Sequence, residues 1–517
     1  MTRSMTLVAL AGATMLAGCN MAPKYIRSAG AVPADLPQGG IYPAAATDAA
    51  DVTRIGWRDF FTDARLREVI AAGLDNNRDL RLAAANVLQA RERYRIQRAA
   101  QVPTTGLTGS ATYTNNAFGA SGATAGGATG VGSGAGGTGG SGTGVGTGTG
   151  GGTGVGTGGG TGVGSGAGVG TGASNLEFYS VNAGFSNFEL DLFGRVRNLS
   201  RSALEQYFAT EEAQRSTRIS LIAEIATAWL QLAADQDQLA LSRSTLGAFE
   251  QTLKLTQAQF RIGVASELEA RQADTNYQAA LNDIAALEAR IAQDKNALDL
   301  LVGAPVQPAQ LPAGLGTGEG ATIASLPAGL SSEVLLRRPD VLSAEHQLIA
   351  QHANIGAARA ARFPTISLTA AVGTISTALS GLFGGGSFTY TGAPSITAPL
   401  FDGGRINANI RLAEAQRQGA LATYDRTIQV AFREVADALA QRGTIDRQVS
   451  AQAARANSAT VASRLSEARY RVGVESFLNT LDAQRTAYAA QQQLVTTRLT
   501  RASNLVELYR SLGGGLQ

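Results

Sequence analysis

The chain has 517 residues, with 43 basic against 40 acidic side chains and a formal charge of +3. That balance leaves no basic footprint for nucleic acid. A single cysteine, Cys19, excludes intrachain disulfides and leaves no thiol for catalysis or metal binding.

The N-terminus has the build of a targeting segment. Arg3 supplies a positive start, Leu7 to Met15 is apolar, and Leu16-Ala17-Gly18-Cys19 follows. Those four residues resemble a bacterial lipobox, which implies cleavage after residue 18 and an S-diacylglycerol, N-acyl anchor on Cys19. Asn20 is not the Asp that retains enterobacterial lipoproteins in the inner membrane, so the resemblance points to the outer membrane. Beyond the signal no run of 18 apolar residues occurs, so a crossing of a bilayer would have to use strands.

Residues 19–63 carry Pro23, Pro33, Pro37 and Pro43 and read as an extended strap. Apolar periodicity from Ala64 to Gln101, through Leu66, Val69, Ile70, Leu74, Leu80 and Leu88, predicts one helix that Val102-Pro103 ends. Two strand-like stretches follow, at about 104–117 and 176–190. In the second, Tyr179, Val181, Ala183 and Phe185 alternate with Ser180, Asn182, Gly184 and Ser186. Between the two stretches, Gly119 to Gly172 is a Gly/Thr/Ser/Ala/Val tract holding 29 of the 63 glycines. Such a composition buries too little surface to fold, so it reads as a loop.

Long helices are expected from Arg195 to Ile262 and from Arg405 to Val472, each roughly 100 Å at 1.5 Å per residue. In the first, Ile219, Ile222, Ala226, Trp229 and Ala233 form one apolar stripe. Leu221, Ile225, Ala228 and Leu232 form another, so the helix buries two seams, as the wall of a tube does. Shorter helices are expected over 266–301 and 333–362, with a Gly/Pro-rich linker at 306–330 between the halves. Strands recur at about 364–376 and 388–400. No charged residue occurs from 99 to 176 or from 363 to 400, which suits lipid outside and a neutral lumen inside.

The halves are copies. Arg261-Ile262-Gly263-Val264-Ala265-Ser266 returns as Arg471-Val472-Gly473-Val474-Glu475-Ser476, and Val102-Pro103-Thr104 as Phe363-Pro364-Thr365. The first repeat spans 64–305 and the second 331–512, with a short tail at 513–517. Pro103 to Pro364 is a step of 261 but Leu192 to Leu400 only 208, so the first copy holds 53 extra residues there. The glycine tract accounts for them as an insertion between two strands.

Four strands cannot close a spanning barrel, and a sheet edge open to lipid leaves amides unpaired. Strands must therefore be pooled with other copies of the chain, and two, three or four copies are all physically admissible. The duplicated plan, the Phe363-Pro364-Thr365 entry, Leu400-Phe401-Asp402-Gly403-Gly404-Arg405, and Tyr470 to Ser476 followed by Leu481-Asp482-Ala483-Gln484-Arg485 resemble the TolC family. With the lipobox, the resemblance is to its OprM/NodT-like lipoprotein branch. It implies a mainly α homotrimer with a small β part. Four strands per chain would build a twelve-stranded outer-membrane barrel, continued by a periplasmic α-helical tunnel. The implied function is export of drugs or other small molecules, with a periplasmic adaptor and an inner-membrane pump as partners.

Residue by residue, the resemblance makes Arg261, Gly263, Val264 and Ser266, and Arg471, Gly473, Val474 and Ser476, the tips of two helical hairpins that meet the adaptor. Leu478 and Asp482, spaced i,i+4, correspond to the family's innermost constriction; the first copy offers Leu268 and Gln272 instead. Arg485 stands where it could pair with Asp482 or face water. Asn479 replaces a further Asp of some relatives. No catalytic or metal site is expected: His346 and His352 lie six residues apart on a helix and would not share a face. Two alternatives stay open, a duct for type I protein secretion and a trimeric surface adhesin.

Overall fold

The computed structural model describes residues 20–27, 31–43, 55–115, 175–315 and 332–514. The signal segment 1–18, Cys19, the glycine tract 119–172 and most of the 306–330 linker lie outside these residues. The chain divides into two units. The larger comprises residues 1–102, 189–366 and 396–517, and the smaller 103–188 and 367–395.

The larger unit is helical. It contains α1 (Ala64–Asn76), α2 (Arg78–Ala99), α3 (Arg195–Arg261), α4 (Glu267–Val302), α5 (Pro339–Ala360), α6 (Arg405–Arg471) and α7 (Phe477–Ser511). α3 and α6 each have 67 residues and begin after Gly194 and Gly404, both at positive φ. α3 pairs with α4, and α6 with α7, as antiparallel hairpins. α5 packs along both α3 and α6. Both predicted seams of α3 are buried: Ile222, Ala226, Trp229 and Ala233 on one, Leu221, Ile225 and Leu232 on the other. One core runs through these helices, closed by Trp57, Phe60 and Phe61, and Phe60 stacks face to face on Tyr509 at 4.0 Å.

Two expectations need correction. The helix expected over 64–101 is two, α1 and α2, broken at Asn77. The Asn77 carboxamide oxygen accepts from Leu80 N at 2.8 Å, so it caps α2, and its Nδ2 donates to Leu301 O at 2.7 Å. The apolar period continues across this break and hides it. The helix expected from Glu333 starts at Pro339 instead, because residues 332–337 form a 3₁₀ segment and proline suits the first helical position. The second strand, Asn175–Leu190, carries two charged residues, Glu177 and Glu189. Glu177 accepts from the Tyr179 hydroxyl at 3.1 Å, and Glu189 pairs with Arg195.

The described parts of the strap lie against helices. Arg27 makes a two-pronged ion pair with Glu345 of α5, and the Tyr25 hydroxyl donates to the same carboxylate at 2.8 Å. Leu36 enters the core. α2 buries no side chain, leaving Leu82, Leu88 and Ile96 exposed.

The smaller unit is one sheet of four strands in the order β1 (Gly106–Asn115), β2 (Asn175–Leu190), β3 (Thr365–Ser376), β4 (Phe388–Thr397). β1 and β2 are antiparallel, with Ser110 opposite Ser180 and Ala111 opposite Tyr179. The alternation is visible in the contacts: Ser110 bonds Ser180 on one face, while the Tyr113 and Tyr179 rings meet edge to face on the other. β1 and β4 are edges, and their apolar side chains Leu107, Tyr113, Tyr390 and Ile396 are exposed.

Candidate hairpin tips and pore-lining face

The two turns that join the long helices to their partners have the same backbone. At the first, Gly263 has φ 76° and donates to Phe260 O, and Val264 N–H reaches back to Gln259 O at 2.9 Å. At the second, Gly473 has φ 77°, donates to Tyr470 O, and Val474 N–H reaches Arg469 O at 3.0 Å. A side chain at these positive φ values would be strained, which is why glycine recurs. Each turn ends on a serine N-cap, Ser266 accepting from Glu269 N and Ser476 from Asn479 N. Ile262 and Val264, like Val472 and Val474, project into solvent, Val264 at 72% and Val474 at 64% exposure.

The side-chain chemistry differs between copies. Ser266 and Glu269 form a full capping box, the Glu269 carboxylate accepting from Ser266 N at 2.7 Å. Asn479 makes no such return bond among the described residues and instead donates to Glu475 Oε1 at 2.8 Å. Arg469 holds the other Glu475 oxygen at 3.0 Å. The Asn479 and Arg469 donors keep the Glu475 carboxyl below the usual range. Arg471 pairs with Glu467 one turn back. Its counterpart Arg261 has Gln257 there and makes no ion pair among the described residues.

Past the second tip, α7 sorts its residues by face. Phe477, Thr480, Leu481 and Gln484 are buried, Phe477 and Leu481 joining Leu253 and Ala273 in a small apolar cluster. Leu478, Asp482 and Arg485 lie on the opposite, exposed face, Leu478 at 62%. Asp482 and Arg485 therefore share a surface, but no ion pair joins them among the described residues. Gln272 is half-buried on α4, and Leu268 is exposed.

Sequence reasoning missed a polar belt that ties the two hairpins together. The Tyr470 hydroxyl donates to Gln259 Oε1 at 2.6 Å, and Gln484 Nε2 donates to Thr252 Oγ1 at 3.1 Å. The Tyr488 hydroxyl donates to Asp283 Oδ2 at 2.9 Å and lies 2.8 Å from Ser242 Oγ. The available signal was polar residues, Thr252, Thr256, Thr480 and Gln484, at positions the helical period buries. The histidines have separate surroundings: His346 Nδ1 lies 2.8 Å from Glu205, and His352 sits edge-on to Tyr25. No group of three or more metal-ligating side chains occurs among the described residues, and no helix there is long and apolar enough to cross a membrane.

Comparisons with known proteins agree with this geometry. The profile of the family described as Outer membrane efflux protein matches twice, over residues 69–304 and 330–514, one match to each copy. The solvent efflux pump outer membrane protein SrpC of Pseudomonas putida is 40% identical over 502 residues, covering 97% of this chain and 96% of SrpC. A membrane protein from Pseudomonas aeruginosa of known crystal structure superposes with a TM-score of 0.81 at 36% identity, covering 96% of this chain and 98% of its own. The open state of the MtrE outer membrane channel of Neisseria gonorrhoeae gives 0.78 at 33% identity, covering 96% and 99%. The helical hairpins, the four-stranded sheet and the twice-matched profile together place this chain, with its TolC-like fold, in the outer membrane efflux protein family.

Proposed function

We propose that this protein is the trimeric exit duct of a tripartite efflux system, moving drugs, solvents or similar small molecules from an inner-membrane pump and periplasmic adaptor to the exterior. The observation that carries this reading is a four-stranded sheet whose two edge strands have no further strand partner among the described residues. Such edges are untenable in lipid. Three copies would supply twelve strands and six hairpins, and the exposed apolar residues of β1, β4 and α2 would then meet neighbouring copies.

Within that assembly, the tips Arg261 to Ser266 and Arg471 to Ser476 dock the adaptor. Leu478 and Asp482 line the narrowest point, where a threefold axis gathers three carboxylates, with Arg485 one turn further along the same face and Gln272 the neutral contribution of the first copy. Cys19 carries the lipid anchor. The substrate class follows the named relatives, among them a solvent efflux component.

The test uses the single natural cysteine. With Cys19 acylated, Val264→Cys and Val474→Cys give unique thiols for crosslinking in whole cells. Adaptor capture from both positions, together with solvent and drug hypersensitivity of the deletion strain, is expected. Unchanged susceptibility with loss of surface attachment would replace this reading with the adhesin. Asp482→Asn should lower cation selectivity in planar bilayers, and an unchanged selectivity would remove Asp482 from the pore.

A further inference from the structure

The root of the first hairpin holds a buried pair of acids that export does not call for. Asp235 of α3 is 1% exposed. Its Oδ2 accepts from Gln231 Nε2 at 3.0 Å, while its Oδ1 has no hydrogen-bond partner. Asp294 of α4 is its acidic neighbour, and Asp294 Oδ2 is also buried without a partner. Ionising both of two neighbouring carboxylates away from water is costly, and one proton between them would satisfy both orphan oxygens. Burial, then the Asp235 carboxylate, pushes the Asp294 carboxyl up to about 6.

The surrounding charges neutralise the pair only in part. Arg290 of α4 approaches Asp235 Oδ1 only to 3.8 Å, with its own side chain largely in solvent. Lys295 is taken by Asp299 at 2.8 Å. Asp237 accepts from Leu315 N. Asp294 and Gln231 also border a cavity of about 540 Å³. Across it stand Glu224 of α3 and, on α7, Glu507 with Arg510, which pair with each other. Glu224 adds negative charge and Arg510 is occupied, so a proton remains the cation best placed to serve the pair.

The duplication supplies an internal control. α3 and α6, and the starts of α4 and α7, are related by a constant step of 210 residues. At that step Asp235 becomes Ile445 and Asp294 becomes Asn504, both buried. Asn504 Nδ2 donates to Ala438 O and Gln441 Oε1. The second copy thus fills the same place with groups that do not titrate.

We propose that Asp235 and Asp294 form a single-proton binding site that clamps the C-terminal turns of α4 onto α3. The root of the first hairpin is then tighter in an acidic periplasm than at neutral pH, and the second hairpin does not respond. The sign follows from linkage. The carboxyl's affinity for protons is higher folded than unfolded, so its stabilisation is complete in acid and is lost as pH rises through the folded value.

The experiment is amide hydrogen exchange on the full-length protein in detergent, corrected for intrinsic rates, at pH ~5 and ~7. Residues 290–302 should lose protection on the order of ten-fold at the higher pH in the wild type, and not in Asp294→Asn. Residues 500–511 should not change in either. Equal loss in both segments, or an undiminished loss in Asp294→Asn, overturns the proposal. So does restoration of protection at pH ~7 by added calcium, which would make the pair a metal site. Should Asp294→Asn fail to fold, infrared difference spectra of the wild type decide: a protonated carboxyl band that vanishes between these pH values and is absent from Asp235→Asn supports the proposal. Its absence from the wild type refutes it.

Discussion

The strap crosses α6 so closely that a methyl group added to Gly443 would lie 1.7 Å from the carbonyl oxygen of Ile41. The obstacle is backbone, and Pro43 Cδ lies 3.4 Å from the same spot. Gly443→Ala should therefore displace the strap rather than α6, which gains roughly 1 kcal/mol in helix propensity. The clash costs about 1–3 kcal/mol and falls on strap docking. Limited proteolysis should cut residues 31–43 faster in the variant while the helices keep their melting temperature. Unchanged cleavage would mean that the strap does not depend on this crossing.

Asn77 is the joint between α1 and α2, serving both as a cap and as a donor to Leu301 O. Asn77→Ala removes both functions in a nearly inaccessible site. We expect a loss of about 2–3 kcal/mol by denaturant unfolding. Asn77→Asp retains the cap acceptor and loses only the donor, but it sets a charge against a carbonyl. It should therefore recover little of that loss.

The Tyr470–Gln259 bond joins the last turns of the two long helices. Tyr470→Phe keeps the ring packed on Phe477 and deletes only the hydroxyl. The expected cost is about 1 kcal/mol, read as faster amide exchange over residues 259–266 and 470–476. A variant with wild-type exchange there would show that apolar packing alone holds the tips.

His346 should give a separate pH signature. Its hydrogen bond to Glu205 raises the imidazole above its ordinary value of 6.5, with Glu212 and Glu345 adding to the effect. Because the folded state holds the proton more tightly, this contribution is full below 6.5 and is lost as pH rises through the folded value. His346→Gln should lower the melting temperature most below about pH 6.5 and flatten its decline above that value. A decline of equal slope in the variant would assign it elsewhere.

The residues that announced the architecture were those under backbone constraint. Gly263 and Gly473 are legible because only glycine suits φ near 76°, and the seams of α3 because apolar residues recur at helical spacing. What stayed hidden is side-chain choice among equally spaced partners. Asp482 and Arg485 are placed to pair and do not; Asn504 and Asp294 occupy equivalent positions with different chemistry. The break at Asn77 was masked because Leu74 and Leu80 keep the apolar rhythm on either side of it. Ser266 and Glu269, by contrast, spelled a capping box that spacing alone could have revealed.

The equal length of α3 and α6, 67 residues each, makes the hairpins a matched pair of rulers. Dropping one residue from either would shorten it by about 1.5 Å and swing everything beyond by about 100°, turning the Gly263 or Gly473 turn away from its neighbours. Length changes are therefore tolerable only where no rotation is transmitted to the helices. Residues can be added between β1 and β2 in the sequence while both rulers are held to the same mark.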